Sequence, residues 1–390
     1  MKKQKFPLLA RVAVAIVLGI VLGQIMPVWL ARIFTTFNGI FGNFLGFIIP
    51  LIIVGLVTPA IGELGKGAGK LLLITTLIAY GSTLFSGFFT YFSCQATFPY
   101  VIGGMALPGA TNGDSSALAP YFSIAMPPVL DVMSALILSF CVGIGLSLIH
   151  GDTLQKAFSD FREIIVRIIE AIIIPLLPIY IFGMFLSITM SGQVYAVIML
   201  FFKVILVIFV LHILLLLIQY IIAGSITKRN PMKLLRTMLP AYATALGTSS
   251  SAATIPVTLN CALRNGVRES IASFTVPLCA TIHLAGSTMK IVAFSLAFMY
   301  FTNMPISFGT MAGFIFMLGI TMIAAPGVPG GAIMAAIGII QSMLGFNEEL
   351  IGLMITVYLA IDSFGTACNV TGDGAIAVVV DRIAGKTDKE

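Results

Sequence analysis

The sequence predicts an all-α polytopic membrane protein with eight transmembrane helices and two re-entrant helical hairpins. Three observations carry that prediction. Of the 390 residues, 59% are hydrophobic and only 9% are charged, so burial against lipid replaces burial from water and the backbone must satisfy itself as helix. The apolar residues fall into runs of about 20 residues or more, the length a span needs. Two further apolar runs are broken in their middles by TSSSAATIP and APGVPGGA, as expected of two half-helices meeting at a non-helical tip.

In chain order, spans are expected near residues 8–27, 38–61, 71–94, 128–149, 162–189, 194–224, 270–298 and 350–382, with hairpins at 238–261 and 310–343. The first run, in MKKQKFPLLARVAVAIVLGIVLGQIMP, begins like a signal peptide. It is long for one and lacks a small-x-small cleavage site, so it reads as an uncleaved first span. If the amino terminus is cytoplasmic, alternation puts all of the 21 Lys and Arg residues except Arg32, Lys203 and Lys290 at or near cytoplasmic ends, among them Lys2, Lys66, Arg162 and Arg382. The loop from Gln95 to Pro127 has no Lys or Arg, as an external loop should. This holds only if both hairpins return to their own side. The chain is therefore expected in the cytoplasmic membrane with both termini cytoplasmic. Each hairpin is followed by a span, and the two units form an inverted pair, an arrangement that usually encloses a midplane binding site.

The last span carries IDSFGTACNVTGD, Ile361 to Asp373. On a helix, Asp362, Thr366, Asn369 and Asp373 fall at i, i+4, i+7 and i+11, within about 40° of one line. Two carboxylates at membrane depth must face protein or a watery cavity, where they mark a solute or ion path by default. At the first hairpin tip, Ser249, Ser250 and Ser251 supply hydroxyls beside a half-helix amino terminus, a setting suited to a carboxylate. At the second, Gly327, Gly330 and Gly331 let backbone approach a ligand.

Other classes fit poorly. The net charge of +6 follows lipid topology, so the expected partner is membrane lipid and not nucleic acid. The five cysteines, Cys94, Cys141, Cys261, Cys279 and Cys368, show no CxxC spacing and read as small buried residues. No GxSxG, HExxH or P-loop occurs, so an enzyme is not expected and the work must come from ion gradients. An intramembrane aspartyl protease needs a dyad sharing a proton across about 3 Å, whereas Asp362 and Asp373 lie about 16 Å apart along one helix. A channel on the same scaffold fits the broken hairpins less well than an occluding carrier.

The chain resembles the dicarboxylate/amino acid:cation symporter family, which includes the excitatory amino acid transporters. SSSAATIPVTLNCALRNGVRESIASFTVPLCATIHLAG follows the family's first hairpin and seventh helix, PGVPGGAIM its second hairpin tip, and NVTGD its last-helix cation motif. The resemblance implies a homotrimer in which a transport domain moves like an elevator against a scaffold. It assigns residues 1–62 and 128–190 to the scaffold, and 63–127, with the third helix, and 191–390 to the transport domain. Carried over, Asp362 holds a substrate ammonium, Thr366 faces substrate, and Ser250 and Ser251 flank its carboxylate. Gly365, Asn369, Val328, Pro329 and Gly330 complete the implied substrate set. Asn369, Asp373, Cys279, Thr281 and His283 make up the implied cation set.

Departures from the family pattern narrow the expectation. Acidic-substrate members carry an arginine where this chain has Gly365, and the arginine that some place beside the hairpin serines is Ser249 here. A second substrate carboxylate then lacks a partner, so a small neutral amino acid such as serine, threonine or alanine is expected, as in bacterial serine/threonine symporters. An acidic amino acid or dicarboxylate is the alternative. The family's NMDGT reads HLAGS, putting His283 at the asparagine and Ala285 at a ligand aspartate. Fewer sodium ions are therefore expected, with a proton on His283 as a further possibility. Lys290, seven residues on and on nearly the same helix face, is read either as a snorkelling side chain or as a fixed charge replacing the lost sodium. Lone His150 and His212 read as ordinary structural residues, and Lys203 as a snorkelling one.

Overall fold

The computed structural model describes residues 8–65, 70–103, 118–326 and 329–387, and among them there is no strand. Lys2, Lys66, Gly327 and Val328 lie outside the described residues. Helix α1 (Leu8–Gly23) stops before Pro27, and α2 (Val28–Gly65) starts at Val28 instead of near residue 38. Then come α3 (Lys70–Val101), α4 (Val132–Leu148), and a continuous rod made of α5 (Thr153–Ile168), a π-helical turn (Ile169–Ile173) and α6 (Ile174–Met190). α7 (Val194–Thr227) leads to a short α8 (Pro231–Thr237). Gly19 and Gly23 let α1 lie against α6: a Cβ at either position would come within 2.9 Å of Phe182, Phe185 or Thr189, a small-xxx-small contact.

Both broken runs fold as antiparallel pairs, α9 (Leu239–Thr248) with α10 (Ser251–Arg264), and α13 (Phe308–Ala324) with α14 (Gly331–Leu344). The two runs expected as single spans after them need correction. The first is α11 (Glu269–Ile282) and α12 (Ala285–Phe301), interrupted at His283 and Leu284; the second is α15 (Glu348–Ala360) and α16 (Asp362–Thr387), interrupted at Ile361. A hairpin followed by an interrupted helix thus occurs twice, and both interruptions abut residues of the expected site.

Among the described residues, six apolar helical segments are long enough to cross a membrane by length and composition: Val28–Glu63, Leu71–Val101, Thr153–Met190, Val194–Thr227, Glu269–Phe301 and Asp362–Gly385. Four shorter ones are Leu8–Gly23, Val132–Leu148, Phe308–Ala324 and Gly331–Leu344. Burial separates them into two kinds. Within the most apolar stretch of Glu269–Phe301 and of Asp362–Gly385, 94% of residues are buried, against 33% in Val194–Thr227. The two interrupted helices therefore form the centre, while α7 shows lipid an apolar face that includes Val210 and Ile213. Lys203 on α7 donates to the Val101 carbonyl at 2.8 Å, placing its charge at a helix carboxyl end. Of the cysteines, Cys94, Cys261, Cys279 and Cys368 are buried, whereas Cys141 is exposed, and all five are free.

Candidate solute and cation site

Four elements converge on Asp362: the tip of each hairpin, α12 and the start of α16. The interruption at Ile361 leaves Asp362 as the first residue of α16, where helix N–H groups favour a carboxylate. Gly330, with φ of +75°, caps α14, and its N–H donates to Asp362 Oδ2 at 2.8 Å. The left-handed backbone at that position favours glycine. From the opposite side the Lys290 ammonium reaches Asp362 Oδ1 at 3.2 Å and the Ile361 carbonyl at 3.3 Å. It also lies 3.7 Å from the centre of the Tyr358 ring, within cation–π range. Lys290 is buried. Its charge is balanced by one carboxylate, one carbonyl and one ring face.

The first hairpin tip divides its three serines. Ser249 is left-handed, with φ of +50°, and closes α9, while Ser250 begins α10 and its hydroxyl accepts from Ala253 N–H at 3.3 Å. Ser250 therefore spends its side chain as a helix cap. Ser249 and Ser251, with Thr281, Ser287, Gly330, Asp362, Thr366 and Asn369, line a cavity of about 30 Å³, room for a water or two. Pro329 adjoins Gly330 at the second tip, and Val328 lies outside the described residues. Thr366 donates to the Asp362 carbonyl at 3.2 Å. Adjoining the cavity is a vestibule of about 810 Å³. Thr281, Ala325 and Pro326 line both spaces, and Glu63 and Arg162, paired at 2.9 Å, line the vestibule.

Further along α16, Asn369 Oδ1 accepts from the N–H groups of Gly286 at 2.8 Å and Ser287 at 3.4 Å, so the amide caps α12. Its nitrogen donates to Ser287 Oγ at 3.2 Å. As arranged, the Asn369 carbonyl faces backbone N–H groups and not an open cation position. Asp373 Oδ1 meets His283 Nδ1 at 2.9 Å, His283 Nε2 meets Ser82 Oγ at 3.0 Å, and Gln219 donates to Ser82 Oγ at 3.1 Å. Asp373 Oδ2 is buried with no hydrogen-bond partner, as is Thr371 Oγ1. A hydroxyl has one proton and two lone pairs. Ser82 can therefore donate to a neutral imidazole or, by rotating its hydroxyl, accept a second time from an imidazolium. Cys279 sits in an apolar cluster against α16. Thr281 donates to the Leu278 carbonyl. Among the described residues no group of three or more His, Cys, Asp and Glu is placed to hold a metal.

A family model described as the sodium:dicarboxylate symporter family matches residues 8–383. The chain belongs to that family. It is 26% identical over 404 residues to the serine/threonine transporter SstT of Acinetobacter baumannii, covering 97% of each chain. To excitatory amino acid transporter 1 of Rattus norvegicus it is 26% identical over 284 residues, 71% of this chain and 49% of the relative. To excitatory amino acid transporter 5 of Mus musculus it is 33% identical over 162 residues, 41% of this chain and 29% of the relative. This member of the sodium:dicarboxylate symporter family is thus a membrane-embedded transporter, and its candidate site holds the buried Lys290–Asp362 ion pair.

That ion pair alters the meaning of Gly365. A Cβ there would lie 2.4 Å from Lys290 Cε and 2.6 Å from its Nζ. The position expected to be vacant for want of an arginine is filled by a lysine from α12. Lys290 does not line the cavity; it meets Asp362 from behind. Its ammonium is on Asp362 and not on Asp373, so His283 and Lys290 serve different carboxylates despite their seven-residue spacing. Gly365→Ala is expected to push the lysine off its partner and to destabilise the protein by about 1–3 kcal/mol, the usual cost of overpacking. A thermal melt in detergent that matched wild type would refute this placement.

Proposed function

We propose that the protein is a secondary symporter that carries a small neutral amino acid of serine, threonine or alanine size together with a cation. The observation that carries this reading is the cavity itself. Its lining gives hydroxyls, the amino ends of two half-helices and one carboxylate, and none of the described residues that line it is basic. A single solute carboxylate finds donors there, and a second would find no cation within the cavity, at a cost of several kcal/mol at membrane depth. The likeness to a serine/threonine transporter along nearly the whole chain supports the same class.

In this reading eight helices span, the two hairpins re-enter from opposite sides, and both termini are cytoplasmic. Three copies form the scaffold trimer, residues 1–62 and 128–190 of each staying fixed while 63–127 and 191–390 move as an elevator. The second hairpin acts as the gate, since the Gly330 N–H holds it to Asp362 at the cavity. Sodium is co-transported cargo, and the oxygen left without a partner for it is Asp373 Oδ2, a hard oxygen suited to such an ion. With Ala285 in place of a carboxylate, fewer sodium ions accompany each solute than in relatives that keep the aspartate. His283 gives the alternative coupling, by proton.

Purified protein in proteoliposomes should accumulate labelled serine or threonine under an inward sodium or proton gradient, saturably and stereoselectively. Robust aspartate uptake with no serine or threonine uptake would overturn the proposal, and flux without saturation would indicate a channel.

A further inference from the structure

Asp362 is the group expected to hold a substrate ammonium, yet an ammonium from within the chain already holds it. Each of its oxygens has a donor, Lys290 on one and the Gly330 N–H on the other. The pair is buried, with the lysine side chain 2% exposed and the aspartate side chain 12% exposed. The Tyr358 ring, the Ile361 carbonyl and the space beside Gly365 fit Lys290 on its remaining sides. Resting on the reading of this cavity as a carboxylate site, we propose that Lys290 supplies in place the ammonium that an amino acid would bring, so that the carrier also accepts small 2-hydroxy monocarboxylates.

The charges make the case. An amino acid bound at an unpaired aspartate assembles one ammonium and two carboxylates. A 2-hydroxy acid bound at the Lys290–Asp362 pair assembles the same three charges, with the ammonium contributed by the protein. A zwitterion entering this site instead sets a second ammonium beside one carboxylate, and the two cations repel in a medium that screens them weakly. The solute hydroxyl loses nothing by comparison, since Thr366, Ser249 and Ser251 line the same cavity.

A site built to bind a substrate N–H group rejects an analogue lacking it by about 10⁴-fold or more. Here the discrimination should collapse. In proteoliposomes, glycerate and L-lactate, the hydroxy counterparts of serine and alanine, should inhibit labelled serine uptake at concentrations within about tenfold of those of the unlabelled amino acids. Labelled L-lactate should itself be taken up. Lys290→Met, which returns Asp362 to the solute, should widen the gap to at least about 100-fold in favour of the amino acids. The wild-type comparison stands even if that variant does not fold. Serine uptake with hydroxy acids more than tenfold weaker in the wild type would overturn the inference and leave the proposed function intact. Uptake of lactate without serine would support the inference and overturn the amino acid reading, and uptake of neither would remove both.

Discussion

Asp362→Asn is expected to abolish labelled serine uptake and to lower stability by about 3–5 kcal/mol, the cost of stranding one member of a buried ion pair. The stranded member is Lys290, which is buried and has only the Ile361 carbonyl and the Tyr358 ring left to face. The second hairpin loses its anchor as well, because an amide oxygen is a weaker acceptor for the Gly330 N–H than a carboxylate. Adding Lys290→Met should recover most of the stability, since replacing both charges by neutral groups removes the desolvation cost along with the attraction, while serine uptake stays lost. Denaturation in detergent micelles, paired with uptake assays, checks both halves. A single variant as stable as wild type would mean that Lys290 is not paired with Asp362.

Changes at His283 should separate coupling from folding. His283→Ala leaves Asp373 buried beside a void and is expected to cost about 3–5 kcal/mol. His283→Gln keeps a donor for Asp373 Oδ1 but has no site that gains and loses a proton, so the protein should fold while an inward proton gradient ceases to accelerate uptake. If coupling runs through His283, acidifying the outside should accelerate wild-type uptake and leave the His283→Gln variant unaffected. Wild-type uptake indifferent to the proton gradient, with His283→Gln changed only in rate, would leave sodium as the sole driving ion.

Much of this molecule was legible in its sequence, and the parts that were not share a cause. The polar stripe of α16 holds: Asp362, Thr366, Asn369 and Asp373 lie on one helix and all are buried. The hairpins were marked by serine, proline and glycine clusters that no continuous apolar helix would carry. The interruptions at His283–Leu284 and Ile361 have no such mark, for neither contains glycine or proline. Missing the first one misplaced Lys290. Seven residues put two side chains on one face only if the helix is unbroken, and His283 has φ −106° and ψ 96°, outside the helix, so α12 begins with a new phase. The serine triplet hid another choice. Nothing in three identical residues says which of them caps the helix, and backbone geometry gives that task to Ser250 and leaves Ser249 and Ser251 to the cavity. Asn369 was likewise read as offering oxygen to a cation, whereas the close approach of α12 turns that oxygen to Gly286 and Ser287.

The bond between Gly330 and Asp362 has a consequence for measurement. In the proposed transport cycle one carboxylate would both hold the second hairpin and face the cargo, so occupancy and opening would be thermodynamically linked, and linkage is reciprocal. A solute group that takes Asp362 Oδ2 loosens the tip, and anything that props the tip open frees that oxygen. Under that proposal apparent affinity would include the work of parting Gly330 from Asp362, and a lesion in the tip would register as a change in binding even with every cavity residue intact.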